Sequence, residues 1–241
     1  MLKAVVFDSG WGGEMFADYL EEKVPVIEVV RVIDWREAPY SKRGRTDICI
    51  IADKALAPYI GEVDVIVLAS FAVTVSAMAY LKWKYPEQKF VGFEMNLSDY
   101  VENRWNAGAV MALATGVVAE SVSFEKELMK LSDLTVITPE CSSWIQRVDD
   151  GEMTEEILRE ELGVFTKINV GTILLYSTGF TDLTSMLKNI YGQSVAVVDD
   201  FARVVHRVCM ALNLRGADGR KKEKAQRQAT TRMVGLVEHV C

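Results

Sequence analysis

Short runs of apolar and β-branched residues alternate along the chain with longer amphipathic segments, and this alternation limits the fold more than any other feature. One such run, from Val63 to Ala69, is apolar at every position except Asp64. A strand of this composition fits a parallel sheet that helices cover on both faces. The alternation therefore predicts an α/β fold in which helices cross over between parallel strands.

The same pattern predicts eight strands, which suggest two similar halves. The predicted strands are Leu2 to Phe7, Val26 to Ile33, Val63 to Ala69, Lys89 to Phe93, Gly108 to Ala114, Leu134 to Thr138, Val170 to Tyr176 and Ser194 to Val198. In sheets of this kind, the active residues lie just beyond the carboxyl ends of the strands.

Composition and charge argue against several classes of protein. The formal net charge of -7 opposes binding to nucleic acid, which needs a basic face. No apolar run reaches the roughly 18 residues of a membrane span, and the first residues show no signal-peptide pattern. We therefore expect a cytoplasmic protein with neither a nucleic-acid nor a membrane partner.

The cysteines and histidines give no support to a metal site or a hydrolase triad. The chain has four cysteines and two histidines, and they are scattered without the spacing of metal ligands or a Ser/His/Asp context. We interpret the cysteines as buried free thiols, and we predict no metal.

Small polar residues follow four of the predicted strands. They are Asp8 and Ser9 after the first strand, Ser70 after the third, Thr115 after the fifth, and Ser177 with Thr178 after the seventh. A helix-like segment follows each strand, so exposed N–H groups there would favour a carboxylate or phosphate. The alternative is that each hydroxyl only caps its helix. Convergence of four such positions favours a ligand site.

The glycine-rich turn after the first strand does not indicate a nucleotide. Residues Gly10 to Gly13 match neither the dinucleotide fingerprint nor the phosphate loop with its lysine. A tight turn between strand and helix explains the glycines. The turn would also bring Asp8 and Ser9 towards the ligand.

Two segments of the chain resemble the glutamate and aspartate racemase family. Residues 7 to 13 read F-D-S-G-W-G-G and resemble the family's F-D-S-G-x-G-G opening. Residues 34 to 41 read D-W-R-E-A-P-Y-S and resemble D-T-A-R-x-P-Y-G, although Ser41 replaces the final glycine. Weaker similarity includes Thr115 and Ser121, and the late segment from Val198 to Ala202.

The resemblance implies two pseudo-symmetric α/β domains that hold an amino acid in the cleft between them. Each domain would be a mostly parallel sheet flanked by helices. We predict a first domain of residues 1–92 plus 201–241 and a second domain of residues 93–200. Because family members commonly form dimers, a homodimer is also expected.

The family's two catalytic cysteines are absent from this chain. In these cofactor-independent racemases one thiolate removes the α-proton and a second thiol returns a proton to the opposite face. The matching positions hold Ser70 and Ser177, and a serine hydroxyl is not acidic enough to replace a thiol without a base. A general acid or base typically raises the reaction rate by about 10²–10⁴-fold. Losing two such groups would therefore raise the activation barrier by roughly 5 to 11 kcal/mol. Two-thiol racemisation is therefore not expected, and whether the chain is an enzyme stays open.

Three functions remain compatible with the sequence. The first is a diverged enzyme acting on a small amino or carboxylic acid, with no cofactor. The second is a catalytically silent binding or regulatory protein that uses the same cleft. The third is an interaction role in which the cleft is vestigial.

The resemblance also suggests how the ligand would be held. Besides the catalytic positions Ser70 and Ser177, the expected binding residues are Asp8, Ser9, Pro39, Tyr40, Thr115 and Thr178. Phe71 and Phe180 are expected to make the pocket less polar than that of a glutamate racemase. The basic segment from Arg215 to Arg232 is interpreted as a solvated helix or loop, with a salt-dependent partner as the alternative.

Overall fold

A computed structural model of the chain describes residues 1–94 and 108–214. The basic segment from Arg215 to Arg232 lies outside the described residues, and so do the last part of the predicted first domain and the beginning of the second. Within the described ranges, no helix is both long enough and apolar enough to cross a membrane.

The structure contains each of the predicted strands, with shorter bounds for most of them. They are Leu2–Asp8 (β1), Ile27–Ile33 (β2), Val65–Leu68 (β3), Phe90–Gly92 (β4), Ala109–Ala114 (β5), Val136–Ile137 (β6), Val170–Tyr176 (β7) and Ala196–Val198 (β8). The strand β6 has only two residues, because its pairing with β5 covers just Val136 and Ile137.

The strands form two four-stranded parallel sheets with the same topology. The first sheet has the order β2-β1-β3-β4 and the second has the order β6-β5-β7-β8, and every pairing is parallel. The repeated order makes the two halves pseudo-symmetric, as predicted. In each half the strand order reverses direction between the two central strands, which is the point where ligands bind in open α/β sheets.

Helices cover both sheets, as buried parallel strands require. The described helices are Trp11–Lys23 (α1), Arg45–Leu56 (α2), Phe71–Lys84 (α3), Gly116–Ala119 (α4), Val122–Met129 (α5), Trp144–Asp149 (α6), Glu155–Leu162 (α7), Thr184–Tyr191 (α8) and Phe201–Ala211 (α9), with 3₁₀ turns at Tyr40–Lys42, Ala57–Tyr59, Gly163–Lys167 and Thr178–Leu183. All four side chains of β3 are completely buried.

The helix α9 packs on the first sheet although it follows the last strand of the second. The Phe201 ring lies 5.3 Å from that of Phe16 on α1 and 5.7 Å from that of Phe93, just after β4. The assignment of the chain after residue 200 to the first domain stays a prediction, and so do the exact domain boundaries.

Candidate functional site

A small cavity lies where the carboxyl ends of the central strands of the two sheets meet, and we call it the strand-end cavity. Its volume is about 40 Å³. The lining residues are Asp8, Ser9, Gly10, Gly12, Tyr40, Ser41, Ser70, Phe71, Ala72, Thr115, Ile145, Asp149, Tyr176, Ser177, Thr178 and Gly179. Parallel pairing of β1 with β3 and of β5 with β7 brings these strand ends side by side.

The cavity brings together most of the residues predicted from the sequence. The two positions predicted to be catalytic, Ser70 and Ser177, border it, and so do the predicted binding residues Asp8, Ser9, Tyr40, Thr115 and Thr178. Pro39 is not among the lining residues. It lies just before the 3₁₀ turn, and the first two residues of that turn, Tyr40 and Ser41, border the cavity instead.

Asp8 is the last residue of β1, borders the cavity and is almost completely buried. Its Oδ1 accepts a hydrogen bond of 2.7 Å from the Ser9 N–H, and its Oδ2 accepts one of 3.1 Å from the Thr178 hydroxyl. The Ser70 hydroxyl also hydrogen-bonds this carboxylate. Asp8 is therefore held by groups from β1, from the end of β3 and from the turn after β7.

The pKa of Asp8 is raised from 3.8 to about 7. Burial is the main cause, because a buried carboxylate loses the hydration of its charge. The hydrogen bonds from Ser9, Thr178 and Ser70 lower the pKa but do not offset burial, and the nearby charge of Asp149 raises it further. Asp8 can therefore both accept and donate a proton near neutral pH.

Helix capping explains the hydroxyl of Ser70 but not those of Thr115 and Ser177. The Ser70 hydroxyl accepts a hydrogen bond of 3.5 Å from the Val73 N–H at the start of α3. Thr115 and Ser177 also precede helical segments, but their side chains make no capping hydrogen bond. The capping interpretation therefore holds for Ser70 and does not explain the hydroxyls of Thr115 and Ser177.

The turn after β2 supplies one wall of the cavity. The Tyr40 hydroxyl donates a hydrogen bond of 2.8 Å to Asp34 Oδ2, and burial, followed by this hydrogen bond, raises the pKa of the phenol. The next residue, Ser41, borders the cavity with a buried Oγ that has no hydrogen-bond partner among the described residues. A buried hydroxyl without a partner costs about 1–3 kcal/mol, and a polar ligand would remove this cost.

The sequence did not predict three of the lining residues that carry large side chains. Ile145 and Asp149 lie on α6, and a search of strand ends cannot find residues on a helix. Tyr176 is the last residue of β7 and was assigned only to the strand. Asp149 Oδ1 accepts a hydrogen bond of 3.2 Å from the Trp11 N–H, and burial raises the pKa of this carboxyl.

Only one of the two phenylalanines expected at the pocket borders it. Phe71 lines the strand-end cavity, and its ring centroid lies 5.5 Å from that of Tyr176. Both rings also border a larger cavity of about 570 Å³. Phe180 instead packs in the core against Trp144, at 5.9 Å between ring centroids.

No described cysteine lines the cavity. Cys141 is completely buried, and its Sγ donates a hydrogen bond of 3.1 Å to the Pro139 carbonyl. Burial, followed by the charge of Glu140, raises the pKa of this thiol well above its usual range, so Cys141 stays protonated at neutral pH. Among the described residues, no group of three or more histidine, cysteine or acidic side chains could hold a metal ion.

Gly12 allows the two halves of the protein to meet at the cavity. The first turn of α1 packs so closely on the turn after β7 that a Cβ atom on Gly12 would lie 2.5 Å from the Gly179 nitrogen. The Thr178 Oγ1 atom is also too close for such a Cβ atom. The absence of a side chain at Gly12 therefore allows Thr178 to reach Asp8.

We expect Gly12→Ala to open this contact and to weaken ligand binding by the strand-end cavity. Overpacking of this kind typically costs about 1–3 kcal/mol of stability, and moving Thr178 would break its hydrogen bond to Asp8. Thermal unfolding with and without ligand would measure both effects. Gly44→Ala is the matched control, since the nearest atom to a Cβ there is 3.7 Å away, and an equal effect in both variants would contradict the prediction.

The chain is similar in sequence to several glutamate racemases, although no protein-family model matches it. It is 28% identical to that of Pseudomonas entomophila over 229 residues, which cover 91% of this chain and 86% of the relative. It is 25% identical to that of Lactococcus lactis over 231 residues, which cover 94% and 85%.

The fold is also similar to solved structures of racemases. The glutamate racemase of Escherichia coli, in complex with L-glutamate and the activator UDP-MurNAc-ala, has a TM-score of 0.80 at 17% identity, over 88% of this chain and 82% of that chain. The glutamate racemase of Francisella tularensis, in complex with D-glutamate, has a TM-score of 0.75 at 19% identity, over 90% and 82%. The aspartate racemase of Picrophilus torridus has a TM-score of 0.58 at 14% identity, over 86% and 94%.

Proposed function

We propose that the chain, which is similar in sequence and fold to glutamate racemases, belongs to the glutamate/aspartate racemase family, binds a small amino or carboxylic acid in the strand-end cavity and is not a two-thiol glutamate racemase. Two of the structural relatives hold glutamate. A ligand of this class matches the chemistry of the lining residues, and the residues predicted from the sequence are proposed to contact it.

The observation that carries this proposal is the convergence of hydroxyls and carboxyls at the switch points of both sheets. The hydroxyls of Ser41, Thr115 and Ser177 can donate hydrogen bonds to a carboxylate. The carboxylates of Asp8 and Asp149 can accept hydrogen bonds from an ammonium group. Because the described lining residues include no lysine or arginine, the charges favour a ligand with an ammonium group over a simple anion.

Loss of both thiols supports the second part of the proposal. The two serines that the sequence resemblance matches to the family's cysteines border the cavity, and Cys141 is buried elsewhere with a raised pKa. This loss also favours the second candidate function, a silent binding protein that holds the same ligand without turnover. Binding with no exchange of the ligand's α-proton would identify that second function.

The first test measures thermal unfolding with the L- and D-forms of glutamate, aspartate, alanine and serine. We expect at least one of these amino acids to raise the melting temperature. A bound ligand stabilises the folded state in proportion to the logarithm of its concentration above Kd. The variant Ser70→Ala/Ser177→Ala should lose this protection, because it removes donors from both halves of the cavity.

The control for this test replaces two exposed serines away from the cavity, Ser132→Ala and Ser185→Ala. Each shift is compared with the unliganded melting temperature of the same variant, because removal of the Ser70 cap alone costs about 0.5–2 kcal/mol. Protection that is unchanged in Ser70→Ala/Ser177→Ala would mean that the ligand binds elsewhere. Protection by none of the eight ligands would contradict the proposed ligand class.

A homodimer and a cytoplasmic location stay predictions from the sequence and the family. Sedimentation of the full chain would measure the oligomeric state directly.

A further inference from the structure

We infer that Asp8 is the acid/base group of this chain, and that it exchanges the α-proton of a bound amino acid on one face only. This inference rests on the proposed function, because it needs an amino acid in the strand-end cavity. It replaces the missing thiol pair by a single carboxyl group and predicts exchange with retention of configuration, not racemisation.

The position of Asp8 is the first reason for this inference. Its side chain lies between the two serine-bearing strand ends and receives hydrogen bonds from the Ser70 and Thr178 hydroxyls. A carboxylate has about four lone-pair sites, so the hydrogen bonds from Ser9, Thr178 and Ser70 leave capacity for a proton from the ligand. The described lining residues include two carboxyls, Asp8 and Asp149, and of these Asp8 accepts hydrogen bonds from the turn after β1 and from the turn after β7, whereas Asp149 accepts one from α1.

The acidity of Asp8 is consistent with this role. Burial raises its pKa to about 7, and a general acid or base works best when its pKa lies near the working pH. An aspartate with a pKa near 4 would be a much weaker base, and it would hardly ever carry a proton to return.

The other ionisable lining residues are less suited to be a second base on the opposite face. Asp149 is only partly buried, and among the described hydrogen bonds a single one, from the Trp11 N–H at the start of α1, orients its side chain. The Tyr40 phenol donates its proton to Asp34, and its pKa is raised. Tyr176 is a phenol that is almost completely buried, and burial disfavours the charged form that would act as a base. A single working carboxyl returns the proton to the face from which it came.

The proposed step is balanced without a cofactor. The Asp8 carboxylate takes the α-hydrogen as a proton, and the electron pair of the C–H bond remains on the ligand, delocalised into its carboxylate. Hydroxyl donors from Thr115 and Ser177 would stabilise the charge that develops there. In D₂O the protonated Asp8 exchanges its proton with solvent and returns a deuteron to the same face, so nothing is oxidised or reduced.

The test follows the α-proton of each ligand in D₂O by NMR, with the configuration of the product measured by chiral chromatography. We expect exchange with retention for at least one of the eight amino acids that also protects the protein against heat. Asp8→Asn should lower the exchange rate by about a hundredfold or more, the usual size of a general-base contribution. The control Asp199→Asn removes another partly buried carboxyl with a raised pKa, outside the cavity, and should leave exchange unchanged.

Thr178→Val provides a second variant that keeps the carboxyl group. The hydrogen bond from Thr178 lowers the pKa of Asp8, so its loss should move the midpoint of the exchange rate against pH to higher pH. The titratable groups that face Asp8 are Asp149 from α6 and Tyr40 from the turn after β2. If Asp8 had only a structural role, Thr178→Val would not move this midpoint.

The outcomes separate this inference from the proposed function. Heat protection without exchange would overturn the role of Asp8 and leave ligand binding intact. Exchange that survives in Asp8→Asn but is lost in Asp149→Asn would identify Asp149 as the base. Racemisation at the rate of exchange would overturn the one-face mechanism. Absence of heat protection with every ligand would count against the proposed function itself.

Discussion

Asp8→Asn should stabilise the unliganded protein at about pH 8 by on the order of 4 kcal/mol, at about 1.4 kcal/mol for each pKa unit. The reason is the rise of the Asp8 pKa from 3.8 to about 7 on folding, caused mainly by burial. The folded protein then holds this proton more tightly than the unfolded chain does. Stability from Asp8 is therefore fully present below about pH 4 and is lost as the pH rises towards about 7.

Denaturant unfolding of both proteins between about pH 4 and pH 8 would measure this effect. The free energy of unfolding of Asp8→Asn should match that of the natural chain at the low end and exceed it increasingly towards the high end. Asp133→Asn is the matched control, because it removes the same charge from an exposed side chain. A difference of less than about 1 kcal/mol at pH 8 would show that Asp8 is charged in the folded state at little cost.

Arg207→Ala should lower the free energy of unfolding by on the order of 3 kcal/mol, as expected when one partner is removed from a buried ion pair. Arg207 Nη2 donates a hydrogen bond of 2.5 Å to Asp200 Oδ2, and the Asp200 side chain is completely buried. The same guanidinium donates bonds of 3.0 Å and 3.4 Å to the carbonyls of Gly92 and Glu94. It therefore holds α9 to the end of β4.

The control for this prediction is Arg147→Ala. Arg147 forms an ion pair of 3.5 Å with Glu161 at the protein surface, and such pairs contribute about 0–1 kcal/mol. Chemical denaturation of the two variants and of the natural chain would give the comparison. Equal losses in both variants would mean that the contact between α9 and β4 does not depend on the Arg207 side chain.

The two predictions have opposite signs because the two carboxyls are buried in different ways. Asp200 is paired with a cation, whereas Asp8 has only neutral hydrogen-bond donors and a second carboxyl, Asp149, nearby. Natural proteins commonly accept this kind of cost at functional sites and compensate for it elsewhere. The instability expected of Asp8 at high pH is therefore a further reason to assign it a function.

Much of the fold could be predicted from the sequence because it depends on local patterns. The apolar β-branched runs predicted each strand, and the bounds of β7 agree with the prediction at both ends. The strands β3 and β6 are shorter than predicted at both ends, because pairing with the neighbouring strand sets their limits. Parallel strands place their carboxyl ends at one edge, so residues such as Ser70 and Ser177 could be assigned to one site.

The sequence by itself thus determined the strands, the strand-end residues and the absence of cysteine at the two serine positions, since these follow from residue order and backbone periodicity. Only the tertiary structure decided that Asp149 joins the cavity from a helix, that Pro39 does not border it, and that the pKa of Asp8 is near neutral. These features depend on how closely the two halves pack at Gly12. Distances between remote segments and the burial of a charge are properties of that packing, and residue order alone does not contain them.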